Sequence, residues 1–292
     1  MFISSEIAQF PKKIKKQLIQ RFNKLSGKTY SKNRKKPIVF IFGTGRSGSQ
    51  AIIKTLNQHS KIMGFHEQLR PLIQLSTELA AKPKDKRILK EIQKVFDYQL
   101  YPGRNNEVII HSDQRFWNLV PFLKEYFPNA KYILLIREPV ACIKSFVSRN
   151  IFQDNEYPDF NTHPWAKYRL SGPITGEISE DIWSQMTPIE RAAWYWCYIN
   201  ASVKADFKKL LPETDYLILE TEEMGVKLKE IQRFIGVPEE SIGLKITNKR
   251  KKNDDARFQK LDDETVIRAL RKIEEMKPDY LGLHSDQRNS FF

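Results

Sequence analysis

Long apolar runs, cysteine and histidine are all scarce in this chain, and each scarcity removes a class of explanation. No apolar stretch approaches the ~18 residues of a membrane-crossing helix. The start lacks the pattern of a secretory signal, so the expectation is a soluble, cytoplasmic protein. The two cysteines, Cys142 and Cys197, fall in segments of helical pattern. They are expected as free thiols in a reducing compartment, not as a disulfide frame. No His/Cys cluster has metal-ligand spacing, and no metal is expected. Acidic residues are also outnumbered, 35 against 49 Lys and Arg.

That surplus of +14 is concentrated at one end. Residues 1–36 hold eleven Lys or Arg and one Glu, a net +10. Within this arm Ile14, Leu18, Phe22 and Leu25 recur at helical spacing, with basic residues such as Lys12, Lys13 and Arg21 between them. A basic amphipathic helix over residues 11–26 either touches an anionic membrane peripherally, or contacts a partner, or packs on its own domain. No recognition motif accompanies the charge, so specific nucleic-acid binding is not expected.

What the chain does have is concentrated in Ile38 to Gln50, IVFIFGTGRSGSQ. The apolar run Ile38–Phe42 suits a parallel strand covered on both faces. Gly43, Gly45 and Gly48 allow positive φ and close backbone approach to a ligand. A helix starting at or just after Gly48 would aim free N–H groups and its positive dipole end at an anion. A nucleoside-triphosphatase loop reads G-x-x-x-x-G-K-[ST]. Counted from Gly43, Gly48 falls correctly, but Ser49 and Gln50 replace the lysine and the hydroxyl residue, and Arg46 sits inside the loop. The parts that hold a triphosphate and its metal are missing.

Lys131–Arg149, KYILLIREPVACIKSFVSR, repeats the arrangement. A buried strand over Tyr132–Ile136 leads to Arg137, and Pro139 stands where a helix can start. On that helix Ser145 and Arg149 share one face, so they can close on one ligand with Arg137, and arginine suits forked hydrogen bonding to phosphate. Two anion sites at the carboxyl ends of parallel strands match where an open α/β sheet binds nucleotides.

With both motifs in hand, the chain resembles the P-loop-like sulfotransferases that use 3′-phosphoadenosine 5′-phosphosulfate (PAPS), nearest to their bacterial, protein-tyrosine and carbohydrate branches. GTGRSGSQ is similar to the family's 5′-phosphosulfate loop. REPVACIKSFVSR matches its 3′-phosphate pattern R-x-P-x5-S-x3-R, about ninety residues further on. The resemblance implies a three-layer fold with a central, mostly parallel sheet flanked by helices. It also implies a sulfuryl transfer from PAPS to an acceptor hydroxyl that leaves adenosine 3′,5′-bisphosphate and needs no metal. Carried over, Gly43, Thr44, Gly45, Arg46, Ser47, Gly48, Ser49 and Gln50 form the 5′-phosphosulfate loop. Arg137, Ser145 and Arg149 hold the 3′-phosphate.

NQHSKIMGFHEQLRP, Asn57–Pro71, is similar to the stretch in which a glutamate after the second strand is the family's catalytic base. Glu67 takes that position, and His66 is the alternative. Adjacent residues on an extended segment point opposite ways, so one of the two is expected to face the site. Where relatives carry a lysine after the third strand, this chain reads Ser112, followed by Asp113, Gln114 and Arg115. Arg115, His111 or Arg46 is left to supply the charge. Ser112, His111 and Asp113 share the letters of a hydrolase triad, but consecutive residues cannot meet its geometry.

The strands and helices further along fit residues 37–292 as one α/β domain behind the arm. Helices are expected over 68–81, 84–100, 115–126, 187–211 and 261–277, with strands over 107–111 and 216–219. Thr187 and Glu190 have capping-box spacing. Trp194, Trp196 and Asn200 resemble the family's W-x3-N helix, and are expected in the core. Residues 150–183, with Pro158, His163, Pro164, Trp165, Pro173 and Trp183, read as an irregular acceptor-side insertion. Thr221 replaces a family tyrosine. Asn248, Lys249 and Arg250 lie where relatives carry a loop over the nucleotide; they are either lid contacts or an exposed basic loop. The acceptor class left open is a carbohydrate, glycolipid, tyrosine or small molecule. Two other readings compete, a kinase-like protein with a degenerate loop and a non-catalytic polyanion- or membrane-binding protein.

Overall fold

The structure, a computed structural model, describes residues 36–100, 108–152, 164–246 and 260–282. The arm over residues 11–26 and the candidate contacts Asn248, Lys249 and Arg250 therefore lie outside the described residues.

Continuous burial of the central strands, covered on both faces, builds the sheet first. β1 (Ile38–Phe42), β2 (Ile62–His66), β3 (Val108–Ser112), β4 (Ala130–Ile136) and β5 (Tyr216–Glu220) lie in the order β2-β3-β1-β4-β5, and every neighbouring pair is parallel. Phe40 and Phe42 point into one core and Val39 and Ile41 into the other. The first core is aromatic: Phe40 meets Phe96, Phe116 and Phe127 with ring centroids 5.1–6.1 Å apart. On the second face α1 (Ser49–Leu56) packs Ile52, Ile53 and Leu56 beside Ile231 and Ile235 of the helix Leu228–Ile235. The first face is covered by α2 (Pro139–Val147), by α3 (Pro188–Leu210) and by the helix Asp263–Met276. The result is the expected three-layer α/β arrangement. Among the described residues no helix is long and apolar enough to cross a membrane.

The long helix starts where its sequence says. The Thr187 hydroxyl accepts from the Glu190 N–H, and the Glu190 carboxylate accepts from the Thr187 N–H, a reciprocal capping box. Trp194 and Trp196 are buried, as is Asn200. Cys142 and Cys197 are both buried free thiols.

Three expected elements need correction. The helix over 68–81 begins only at Leu72, after Pro71, because proline favours a helix start. Residues 115–126 split into a 3₁₀ turn at Gln114–Phe116 and a helix over Val120–Tyr126. There the Asp113 carboxylate captures the Arg115 N–H, and Pro121 supplies the new start. Residues 164–185 are not irregular. They hold the short helices Pro164–Lys167, Gly172–Thr175 and Glu180–Gln185, each too brief to show a hydrophobic period.

Candidate active site

The turn after β1 is shaped by what a side chain would strike. A Cβ on Gly43 would lie 2.6 Å from the Leu135 carbonyl oxygen, and one on Gly48 would lie 2.8 Å from Thr221 Cγ2. Gly48 also has φ 83° and is the N-cap of α1, so no side chain caps that helix. Ser49 and Gln50 open the helix, and their N–H groups have no acceptor within it. No acid stands in its first turn. The helix thus presents uncompensated donors and the positive end of its dipole.

The second motif meets the first directly. Arg46 Nε donates to Ser145 Oγ at 3.1 Å, and Arg137 Nη1 donates to the Arg46 carbonyl oxygen at 3.0 Å. Arg46 itself has φ 67°, a left-handed backbone that costs a non-glycine residue about 1–2 kcal/mol, and the Arg137 bond helps to hold it there. Behind them, Trp196 Nε1 donates to the Arg137 carbonyl oxygen at 3.1 Å. Thr221 Oγ1 lies 2.8 Å from the Ser47 carbonyl oxygen and 3.1 Å from that of Ile136, tying the loop to the end of β4.

The start of α2 behaves differently. Glu138 caps it with its own carboxylate, accepting from the Val140 and Ala141 N–H groups. Those donors are used internally, so anion recognition by this motif rests on Arg137 and Ser145.

A cavity of about 890 Å³ opens at the carboxyl edge of the sheet. One lining residue follows each strand: Gly45 after β1, Glu67 after β2, Gln114 after β3, Arg137 after β4 and Thr221 after β5. This is where nucleotides bind in open α/β sheets, and β1 and β4 flank the point at which the strand order reverses. Arg46, Gly48, Ser49, Gln50 and Ser145 also line it.

Four carried-over positions are placed elsewhere. Gly43, Thr44 and Ser47 are buried behind the cavity wall, where Thr44 Oγ1 meets Cys142 Sγ at 3.5 Å. Ser47 contributes through its carbonyl bond to Thr221. Arg149 does not share a helical face with Ser145, because α2 ends at Val147 and Asn150 turns with φ 54°. Arg149 is not among the cavity-lining residues.

Glu67 and His66 both line the cavity. The expectation that one would turn away fails because Glu67 has φ 48°, so the extended alternation stops at His66. The Glu67 N–H donates to the Ser112 carbonyl oxygen at 2.8 Å, carrying the β2–β3 ladder one residue into this bend. Burial lowers the His66 pKa, with Asp113 partly opposing, so the imidazole is neutral at pH 7. His66 Nε2 lies 4.0 Å from Glu67 Oε2, beyond direct hydrogen bonding. Gln114 Nε2 donates to Glu67 Oε1 at 3.0 Å, and Tyr195 OH donates to Gln114 Oε1 at 3.1 Å. Phe146, Phe152 and Tyr195 form an aromatic wall, with centroids 5.6–5.7 Å apart.

The lysine-like position is quiet. Ser112 is buried, and its Oγ has no hydrogen-bond partner among the described residues. His111 stacks on Phe65 at 5.0 Å, and burial pushes its pKa down to about 3. It is therefore neutral and cannot supply the charge. Arg115 lines the cavity but forms a buried forked pair with Asp113. Burial pushes the Asp113 carboxyl up, and Arg115 draws it back. Arg46 remains as the cation of the three that faces the cavity from the loop.

Gln114 and Tyr195 were not legible as site residues. One stands among the departures from the family pattern, and the other is one aromatic among several on a core helix. Tertiary packing brings Gln114, just after β3, to Tyr195 of α3.

Residues 37–171 match the model of the sulfotransferase family. Protein-tyrosine sulfotransferase A of Caenorhabditis elegans is 29% identical over 133 residues, which are 41% of this chain and 35% of that protein. Protein-tyrosine sulfotransferase 1 of Homo sapiens is 25% identical over 152 residues, 46% of this chain and 41% of that protein. The chain thus spans well under half the length of these relatives. A solved sulfotransferase from Alicyclobacillus acidocaldarius, 13% identical, superposes with a TM-score of 0.48 over 82% of this chain and 95% of that one. The resemblance carried by the two motifs is thus a resemblance to the sulfotransferase family over residues 37–171, the stretch that contains both.

Proposed function

We propose that the chain is a sulfotransferase that moves a sulfuryl group from PAPS to an acceptor hydroxyl. The observation that carries this reading is a single cavity with two unlike walls. One wall is the uncapped start of α1 with Arg46, Arg137 and Ser145; the other is Glu67. The donor set is cationic or N–H and O–H throughout, which suits a ligand with separated phosphate and phosphosulfate groups.

The residues fit the nucleotide in a definite division. The amides of Gly48, Ser49 and Gln50, with Arg46, would hold the phosphosulfate; Arg137 and Ser145 would hold the 3′-phosphate. The bound nucleotide supplies the activated sulfuryl group. Glu67 takes the proton from the acceptor hydroxyl as that oxygen attacks sulfur. Arg46 and the loop amides face the charge that builds on the departing oxygen. His66, neutral at pH 7 and 4.0 Å from Glu67, is left as a neighbour of the base.

The aromatic wall favours an acceptor with a flat or ring-bearing group, and a tyrosine phenol, named in the relatives, is one candidate beside a carbohydrate or glycolipid. Residues 11–26 would then serve as a peripheral membrane contact of a cytoplasmic enzyme, with Asn248, Lys249 and Arg250 closing over the nucleotide.

Calorimetry with adenosine 3′,5′-bisphosphate, 5′-ADP and ATP, each without magnesium, tests the reading. A preference of about tenfold or more for the bisphosphate, ~1.4 kcal/mol, is expected. Equal or stronger binding of ATP would return the kinase-like reading.

A further inference from the structure

We propose that Gln114 is the positioning residue for Glu67, engaging Oε1 so that Oε2 is the oxygen left to meet the acceptor. The inference rests on the sulfotransferase reading above, and Gln114 is not among the residues carried over from the family.

The direction of the contact follows from chemistry. An ionised carboxylate only accepts hydrogen bonds, so the Gln114 amide must turn its NH₂ toward Glu67 Oε1, 3.0 Å away. That leaves Gln114 Oε1 facing Tyr195, which must donate, and their separation is 3.1 Å. Burial, and to a lesser degree Glu67, pushes the Tyr195 phenol far up, so its proton is permanently available. Tyr195 thus fixes which end of the amide is which, and the amide fixes which carboxylate oxygen is occupied. The third constraint comes from the loop. A Cβ on Gly45 would sit 2.8 Å from Gln114 Oε1 and 3.3 Å from its Cδ. The amide is therefore lodged against the phosphate loop itself, and the base is set in register with the anion wall through one side chain.

The contrast with Glu67's other neighbours supports a positioning role. Its backbone is held by Ser112 in a left-handed bend, which aims the side chain but leaves its torsions free. His66 is too distant to fix the carboxylate. Among the described residues, Gln114 is the neutral donor that reaches it.

Two size-matched variants and one spectroscopic signal test the assignment. Gln114→Met removes the donor, and Gln114→Glu puts a second carboxylate against the first. Gln114→Met is expected to lower kcat about tenfold and Gln114→Glu further, while KM for both substrates and the bisphosphate Kd stay within about threefold. Gln114→Met also identifies the Gln114 side-chain amide in ¹H–¹⁵N spectra by its disappearance. That signal is expected to move in Glu67→Gln and in Tyr195→Phe. Normal bisphosphate binding with an unchanged kcat in Gln114→Met, or an amide signal indifferent to Glu67→Gln, overturns the role of Gln114 alone. Failure of the wild type to prefer the bisphosphate overturns the functional reading beneath it.

Discussion

Arg46 and Ser145, 99 positions apart, meet through a 3.1 Å hydrogen bond from Nε to the serine Oγ. The phosphate loop and the second anion motif are therefore one assembly, and the Arg137 bond to the Arg46 carbonyl closes it from the backbone side. A ligand that bridges the two motifs meets a surface already joined, which lowers the ordering cost of binding.

The 3′-phosphate assignment predicts a selective loss. Ser145→Ala should weaken adenosine 3′,5′-bisphosphate binding by roughly three- to tenfold, about one hydrogen bond from an uncharged hydroxyl. Arg137→Ala should weaken it about tenfold or more, the loss of a hydrogen bond to a charged group. Affinity for 5′-ADP should move less in both. Calorimetry on the pair of ligands checks this, and an equal loss for both nucleotides would assign these residues to the loop's architecture instead.

Glu67→Gln keeps shape and the left-handed backbone while removing the proton acceptor. Turnover should fall ~10²-fold or more, with bisphosphate affinity within about threefold of wild type. Turnover that survives the substitution would remove Glu67 from the proton transfer.

Thr221 is a test of the scaffold. Thr221→Val keeps the volume but deletes the hydroxyl that bridges Ser47 and Ile136. A cost of about 1–3 kcal/mol is expected for buried carbonyls left without a partner, read by urea unfolding. Bisphosphate affinity should fall with it, since the loop loses its tie to β4. A stability unchanged within error would show that water replaces the bridge.

Acid should weaken the fold through His111. Its folded pKa is pushed below the ordinary 6.5, to about 3, so between those values the unfolded chain takes up a proton that the folded chain refuses. Stability is therefore lost as pH falls through this window, by at most about 1.4 kcal/mol per pH unit from this group. His66, also lowered by burial, acts in the same sense. His111→Leu should shrink the loss between pH 7 and pH 5 by up to about 2 kcal/mol, measured by urea unfolding at both values. An identical loss in the variant would place the acid sensitivity elsewhere.

The centre of the sheet was legible because β1 and β4 hold continuous apolar runs, ended by Gly43 and Arg137. Ile38–Phe42 and Tyr132–Ile136 needed no tertiary information. The motif residues at the cavity, Arg46, Ser49, Gln50, Arg137 and Ser145, were legible for the same local reason. Misreadings arose where periodicity was extrapolated through a bend. The pairing of Ser145 with Arg149 assumed a helix that stops at Val147, and the opposition of His66 and Glu67 assumed a strand that ends in a left-handed residue. Gln114, Tyr195 and Thr221 were invisible as site residues because their roles lie in partners 47 to 174 positions away. No local pattern encodes such a distance.

The two helices that leave β1 and β4 both start with N–H groups that have no acceptor within the helix, yet only one start remains open. At α2 the chain supplies a resident anion in the Glu138 carboxylate, and at α1 it supplies none. Two neighbouring sockets of like polarity would let a doubly anionic ligand seat in either of two registers. By plugging one socket with its own side chain, the protein would leave the proposed nucleotide a single orientation in which one phosphate reaches backbone amides while its companion meets arginine. On the proposed function, the polarity of binding would be set by an anion the sequence already carries.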